Sequence, residues 1–223
     1  MKLQYELIRS DRRTIGITIE RDRRVVVRAP SRAREESVFA AVERKRYWIW
    51  QKLRDPRKYL AAPQAKEFVT GETFLYLGQG FPLKLVHEDS GQVRFVGQQF
   101  KLARSDRPRG RALFRDWYLA EAKTHLVPRV ASLAKSLGVD FRRISIRDLK
   151  YRGGSCTPGG TLVFNWRIIQ APPVVIDYLV VHELAHLLEQ NHSDEFWNIV
   201  QIHAPATTKA RAWLRTHGHQ LDW

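Results

Sequence analysis

One cysteine, Cys156, stands in 223 residues, which excludes an internal disulfide framework. A chain without disulfides suits a reducing compartment, so the expected location is the cytoplasm. No apolar run approaches the ~20 residues of a membrane span. The N-terminus MKLQYELIRSDRR places charges where a secretory leader needs its apolar centre, so neither a leader nor a membrane partner is expected. Internal repeats and low-complexity tracts are missing as well. Acid is scarce: 38 Lys and Arg face 23 Asp and Glu, a formal net charge of +15.

The basic excess is unevenly spread. Lys plus Arg against Asp plus Glu is 17 to 8 in residues 1–60, 7 to 5 in 61–110 and 10 to 4 in 111–152, but 4 to 6 in 153–223. Charge segregated in this way fits either a solvated basic face or a polyanionic partner such as DNA or RNA docking on residues 1–152. Hydrophobic residues at 43% and charged ones at 27% describe a globular chain long enough to bury a core.

The first third alternates in strand fashion at LQYELI, TIGITIE and RVVVRAP. Residues 31–53 turn helical, with the aromatic stripe Tyr47, Trp48, Trp50 expected to serve helix packing. Residues 67–103 return to short strands, and Gly78-Gln79-Gly80 between two of them predicts a hairpin turn, since no helix follows to make it a phosphate loop. A long helix is expected over residues 111–137, bent or restarted at Pro128 and capped by Gly138. FRRISIRDL and TLVFNWRI predict two strands around the loop RGGSCTPGG. Pro172 and Pro173 then open a helix at positions where a missing N–H costs nothing, and further helices follow from about Ser193 and Thr208.

The helix after Pro173 should be a core helix, yet VVHELAHLLEQNHSDEFW holds three histidines and four carboxylates. Buried imidazoles and carboxylates are costly unless something pairs with them. In HELAH, His182 and His186 lie one helical turn apart on one face, so both can point at a single ion. Glu183 follows the first, placed to reach a water on that ion without being a ligand. This is the H-E-x-x-H arrangement of zinc peptidases. His192 lies six residues past His186, off the shared face of a continuing helix, so the chain must break between them. Asn191 tolerates the left-handed conformation of helix ends. Ser193 reads as an N-cap, with Asp194 and Glu195 in the first turn of a new helix. Glu189 and Glu195 compete for the third position, but zinc favours imidazole nitrogen over carboxylate, which selects His192. Three imidazoles with an open fourth position form a catalytic pattern. Cys156 is expected to be an inert thiol, a fourth ligand being the alternative. Tyr151, Arg152, Tyr178 and His203 are the candidates for stabilising an oxyanion, and His217 and His219 read as a frayed tail.

IDYLVVHELAHLLEQNHSDEFW resembles the YgjP-like metallopeptidases, zincin-type proteins related to the SprT-like proteases. RRTIGITIERDRRVVVRAP, GGSCTPGGTLVFNWR and AWLRTHG fall in the family's order, so most of the chain is covered. The resemblance implies His182, His186 and His192 as zinc ligands and Glu183 as catalytic base. Gly153 departs from the tryptophan usual there, and HAPATTKA replaces a more usual Pro-Asp-Tyr stretch.

The expected fold is α+β, with a β-rich, antiparallel region over residues 1–105 and a zincin-like catalytic region over 106–223, the two expected to form one continuous family domain. The expected function is zinc-dependent hydrolysis of peptide bonds, one Zn2+ per chain, through a zinc-bound water activated by Glu183. The zincin resemblance further implies that the strand TLVFNW runs beside the cleft and pairs with extended substrate. The alternatives are a zinc-containing nucleic-acid-associated protein with little or no peptidase activity and a metal-dependent hydrolase of other bonds.

Overall fold

The computed structural model describes residues 3–20, 24–54, 65–87, 91–149 and 152–223. The fold is α+β, in two compact units, Met1–Pro63 and Gln64–Trp223. The sequence places its boundary near residue 105 instead. The strands between 73 and 103 belong with the later chain because Phe74 and Phe100 pack on Phe114 and Tyr118 in one aromatic core.

In the first unit, strands β1 (Glu6–Ser10), β2 (Gly16–Ile19) and β3 (Val25–Pro30) form a sheet with β3 at its centre. β2 runs antiparallel to β3, but β1 runs parallel to it, so the antiparallel expectation holds for one pair of the two. Lys45, at φ −100° and ψ 6°, divides the expected single helix into α1 (Glu35–Arg44) and α2 (Arg46–Arg54). Val38 and Val42 of α1 and Ile49 of α2 meet Val25, Val27 and Ala29 in a core of their own. Tyr47, Trp48 and Trp50 do not join it: all three are exposed, so the packing role expected of them is corrected.

In the second unit, β4 (Thr73–Tyr76), β5 (Gln79–Val86), β6 (Arg94–Val96) and β7 (Gln99–Ala103) form a sheet in the order β4-β5-β7-β6. Leu77 and Gly78, at φ 49° and 82°, make the expected hairpin between β4 and β5. Both residues of such a two-residue turn need positive φ, which glycine adopts freely. The hairpin tip has a structural task. Leu77 and Gly78 N–H donate to the Ile169 and Gln170 carbonyls, and a Cβ on Gly78 would fall 2.8 Å from the Cα of Pro172. The tip thus fixes the chain where it enters the histidine-bearing helix.

Helix α3 (Gly110–Leu137) runs through Pro128 without restarting and ends at Gly138, left-handed at φ 68°. Its buried residues Phe114, Tyr118, Ala122, Leu126, Val130 and Ala134 recur every fourth position, one stripe facing the core. A third sheet holds β8 (Arg143–Arg147), β9 (Gly154–Cys156) and β10 (Thr161–Asn165), with β10 in the middle, parallel to β8 and antiparallel to β9. The segment expected to be all loop thus contains a three-residue strand. Helix α4 (Pro173–Ala185) follows, buried on almost every side, and Arg129 of α3 grips Asp177 on it through two 2.6 Å bonds. Helices α5 (Asp194–His203) and α6 (Thr207–His217) close the unit. The expected frayed tail is instead packed: His217 stacks on Trp213, and Leu221 and Trp223 are buried. Among the described residues no helix is long and apolar enough to cross a membrane.

Candidate metal centre and cleft

Helix α4 ends where the chemistry begins. His182 lies in its last turn and His186 is the capping residue just beyond it, at φ −67° and ψ −11°. The chain then turns back. Leu187 N–H donates to the Leu184 carbonyl, and Leu188 and Glu189 N–H both donate to that of Ala185. Asn191 is not left-handed; among the described residues only Phe68, Leu77 and Gln98 are non-glycines at positive φ. The Glu189 carboxylate does the work expected of Asn191, accepting the Asn191 N–H at 2.9 Å to hold the turn. Ser193 then caps α5 as expected, its hydroxyl accepting the Phe196 N–H at 3.3 Å.

This break brings His192 back beside the other two. One nitrogen from each of His182, His186 and His192 lies within 4.8 Å of the others, and no other His, Cys, Asp or Glu among the described residues joins such a group. Nε2 of His182 and Nε2 of His192 are 3.2 Å apart. Two ligands held ~2.0–2.1 Å from one tetrahedral ion would stand roughly 3.3 Å apart, so the spacing suits a shared ion. Nδ1 of His186 lies 3.1 Å from the Glu189 carbonyl, which fixes that ring and leaves its Nε2 for a metal. Glu189, the rival third ligand, thus spends its carbonyl on His186 and its carboxylate on Asn191. Glu195 points to its own helix start, where the Ser193 hydroxyl and a backbone N–H hold its carboxyl below the usual range.

The surroundings keep His182 neutral. Burial, then the charges of His186, His192 and Arg211, lowers the pKa of His182 to about 4. A neutral imidazole is the form that ligates metal. Phe196 packs against all three rings, and Trp197 stacks on His192 at 25°. Glu183, at 5% exposure, has its pKa raised to about 7, chiefly by burial and opposed by Arg152 and the Cys156 backbone N–H. A divalent cation held by the histidines would favour its ionised form.

Strand β9 forms the other wall. Gly153 accepts from Asn165 N–H and Thr157 donates to Thr161, so odd-numbered positions face β10. Gly154 and Cys156 therefore present their backbone groups to the sheet's open edge, and the Cys156 N–H reaches Glu183. The Gly154 Cα lies so close that an added Cβ would be 2.8 Å from Cγ and Oε1 of Glu183. Cys156 lines a cavity of about 280 Å³ with Thr157, Pro158, Gln190, His186 and His192. Its thiol donates to its neighbour's carbonyl at 3.5 Å and lies outside the three-histidine group, its pKa pushed up by burial and by Glu183.

Of the oxyanion candidates, Tyr178 is buried with its ring 5.8 Å from His182, and Arg152 is close enough to act on Glu183. His203 sits at the far end of α5, 3.5 Å from the Ser136 hydroxyl of α3, so it does not serve the cleft. Tyr151 lies outside the described residues. The sequence reading missed Arg211 of α6, whose guanidinium covers Trp197 at 4.5 Å and whose charge reaches His182 and Tyr178. No motif marks it, because only the tertiary fold brings α6 over the α5 aromatics.

A paired-histidine helix with a buried glutamate between the histidines, on an α+β frame, defines a metal-dependent hydrolase of the peptidase class. The chain belongs to the YgjP-like family, matching the YgjP-like metallopeptidase domain over residues 13–217. Among solved structures, it is similar to the metallopeptidase zymogen abylysin of Pyrococcus abyssi, at 23% identity over 40% of this chain and 91% of that one, with a TM-score of 0.35. It is also similar to the metallopeptidase zymogen jannalysin of Methanocaldococcus jannaschii, at 20% identity over 39% of this chain and 90% of that one, with a TM-score of 0.36. No curated protein matches it.

Proposed function

We propose that this metallopeptidase is a zinc enzyme in which His182, His186 and His192 hold one ion and Glu183 is the general base. The observation that carries the reading is the convergence of three imidazole nitrogens within 4.8 Å, with the buried carboxyl of Glu183 next in the chain to the first of them. Zinc bound there would act as a Lewis acid and lower the pKa of a coordinated water. Glu183 takes the proton from the attacking water and returns it to the leaving amine. The Cys156 N–H and the bare Cα of Gly154 orient the carboxyl for both transfers.

Extended substrate pairs with β9 rather than with TLVFNW, as the sequence suggested, because β10 already has a strand on each side. Backbone pairing on an open edge grips a chain on both sides of the cut, so cleavage within peptides or unfolded proteins is the expected activity. The single free thiol continues to favour a cytoplasmic site of action.

The test is cleavage of an unstructured protein substrate, followed by mass spectrometry of the fragments. Activity should vanish with a chelator and return with about one equivalent of zinc. Zinc binding without cleavage of any peptide would instead favour the alternative of a zinc-holding, nucleic-acid-associated protein.

A further inference from the structure

Helix α2 presents two contrasting faces. Ile49 is wholly buried and Leu53 packs beside it in the core of the first unit. On the outer side, Tyr47 is 69% exposed and Trp50 48%. Their spacing, with Arg54 one turn further on, sets the three along one side of the helix. The Tyr47 and Trp50 rings stack at 6.1 Å and 20°, and the Arg54 guanidinium lies 4.4 Å over Trp50. Trp48 adds a third exposed ring. A large aromatic patch in water is informative in a way that a scattered surface leucine is not.

The charge around these rings narrows what would cover them. Glu43–Arg54 holds five Lys and Arg against one acid, Glu43, which is itself paired with Arg46 at 3.3 Å. Protein interfaces enrich aromatics but deplete lysine at their centre. Rings interleaved with cations are instead the composition of surfaces that track a phosphate backbone while bases stack on side chains. The Arg54 guanidinium already sits over Trp50, the place a base would take. We propose that this face of α2 is a docking surface for single-stranded nucleic acid. Single strands are specified because paired bases are stacked on one another and offer only their edges to a flat ring. The inference stands apart from the zinc chemistry and does not require peptidase activity.

The test is fluorescence anisotropy of a labelled 20-nucleotide oligothymidine and of a duplex of the same length, titrated with the whole protein at low salt. Single strand should bind more tightly than duplex, and affinity should fall linearly with salt on a log–log plot. The joint change Tyr47→Ala and Trp50→Ala should weaken single-strand binding at least tenfold and leave duplex binding within twofold. Tyr47→Phe with Trp50→Phe keeps the rings and should bind as wild type does. Arg44→Gln, Lys45→Gln and Lys52→Gln together should flatten the salt slope for both. Tyr47, Trp50, Arg44 and Lys45 are exposed and Lys52 is half-buried, and unchanged metal content and circular dichroism verify each variant's fold. No binding at micromolar protein overturns the proposal, as does equal affinity for both forms that ignores the aromatic pair. Self-association abolished by the alanine pair, with no oligonucleotide bound, also overturns it and assigns the face to a second copy of the chain.

Discussion

Glu183 carries a conflict that only its neighbours resolve. Its carboxyl is buried and pushed towards neutrality, yet the general base proposed here must be able to hold a proton and release it. The Cys156 N–H and the Arg152 charge favour the ionised form, and Gly154 leaves the space the side chain occupies. Gly154→Ala places a methyl 2.8 Å from Cγ and Oε1, so the carboxyl has to move. Displacement of a catalytic group by ~1 Å costs on the order of a hundredfold. The variant should keep its zinc and its KM, and lose at least tenfold in kcat, as steady-state kinetics on metal-loaded protein would show. Gly153→Ala is the control, because its Cβ would meet only the flexible end of Leu179 at 3.1 Å. Unimpaired turnover in Gly154→Ala would show that the carboxyl does not depend on this contact.

Among the elements, the interrupted helix pair sets the geometry of the site. Helix α4 delivers His182 and His186, and His192 arrives only because the chain turns and restarts at the Ser193 cap. Ser193→Ala should cost ~1 kcal/mol of stability, the usual worth of an N-cap. It should also weaken zinc binding severalfold by loosening His192, measurable by competition with a chromophoric chelator. Glu189→Gln should weaken zinc less than His192→Ala, since Glu189 supports the turn and its backbone carbonyl, which the substitution keeps, holds His186. A larger loss with Glu189→Gln would make the carboxylate the third ligand. The convergence of the three histidines was legible in the sequence because helical spacing and a capping serine both act locally. Strand β9 was not, since three residues among glycines and proline show no alternation. Nor could local pattern reveal that α2 turns Tyr47 and Trp50 outward, because burial is decided by what packs opposite.

At the scale of the whole molecule, the histidines stand on the hydrophobic core of the second unit, among Val181, Leu184 and Phe196. A ligand that binds the folded form alone stabilises it by about 4 kcal/mol at a thousand times its Kd. Zinc removal should therefore lower the unfolding temperature of Gln64–Trp223 by several degrees, as calorimetry with and without chelator would resolve. The boundary between the units escaped the sequence because strands 73–103 look like a continuation of the strands before them. Their partners, Phe114 and Tyr118, come later in the chain.

The central claim is that the histidines hold the metal while Glu183 moves the proton, and one paired measurement separates these roles. Zinc content and peptide hydrolysis are determined on the same preparations of wild-type and Glu183→Gln protein. The account predicts about one zinc per chain in both and a loss of at least a thousandfold in kcat for the variant. Hydrolysis surviving in fully zinc-loaded Glu183→Gln would contradict it.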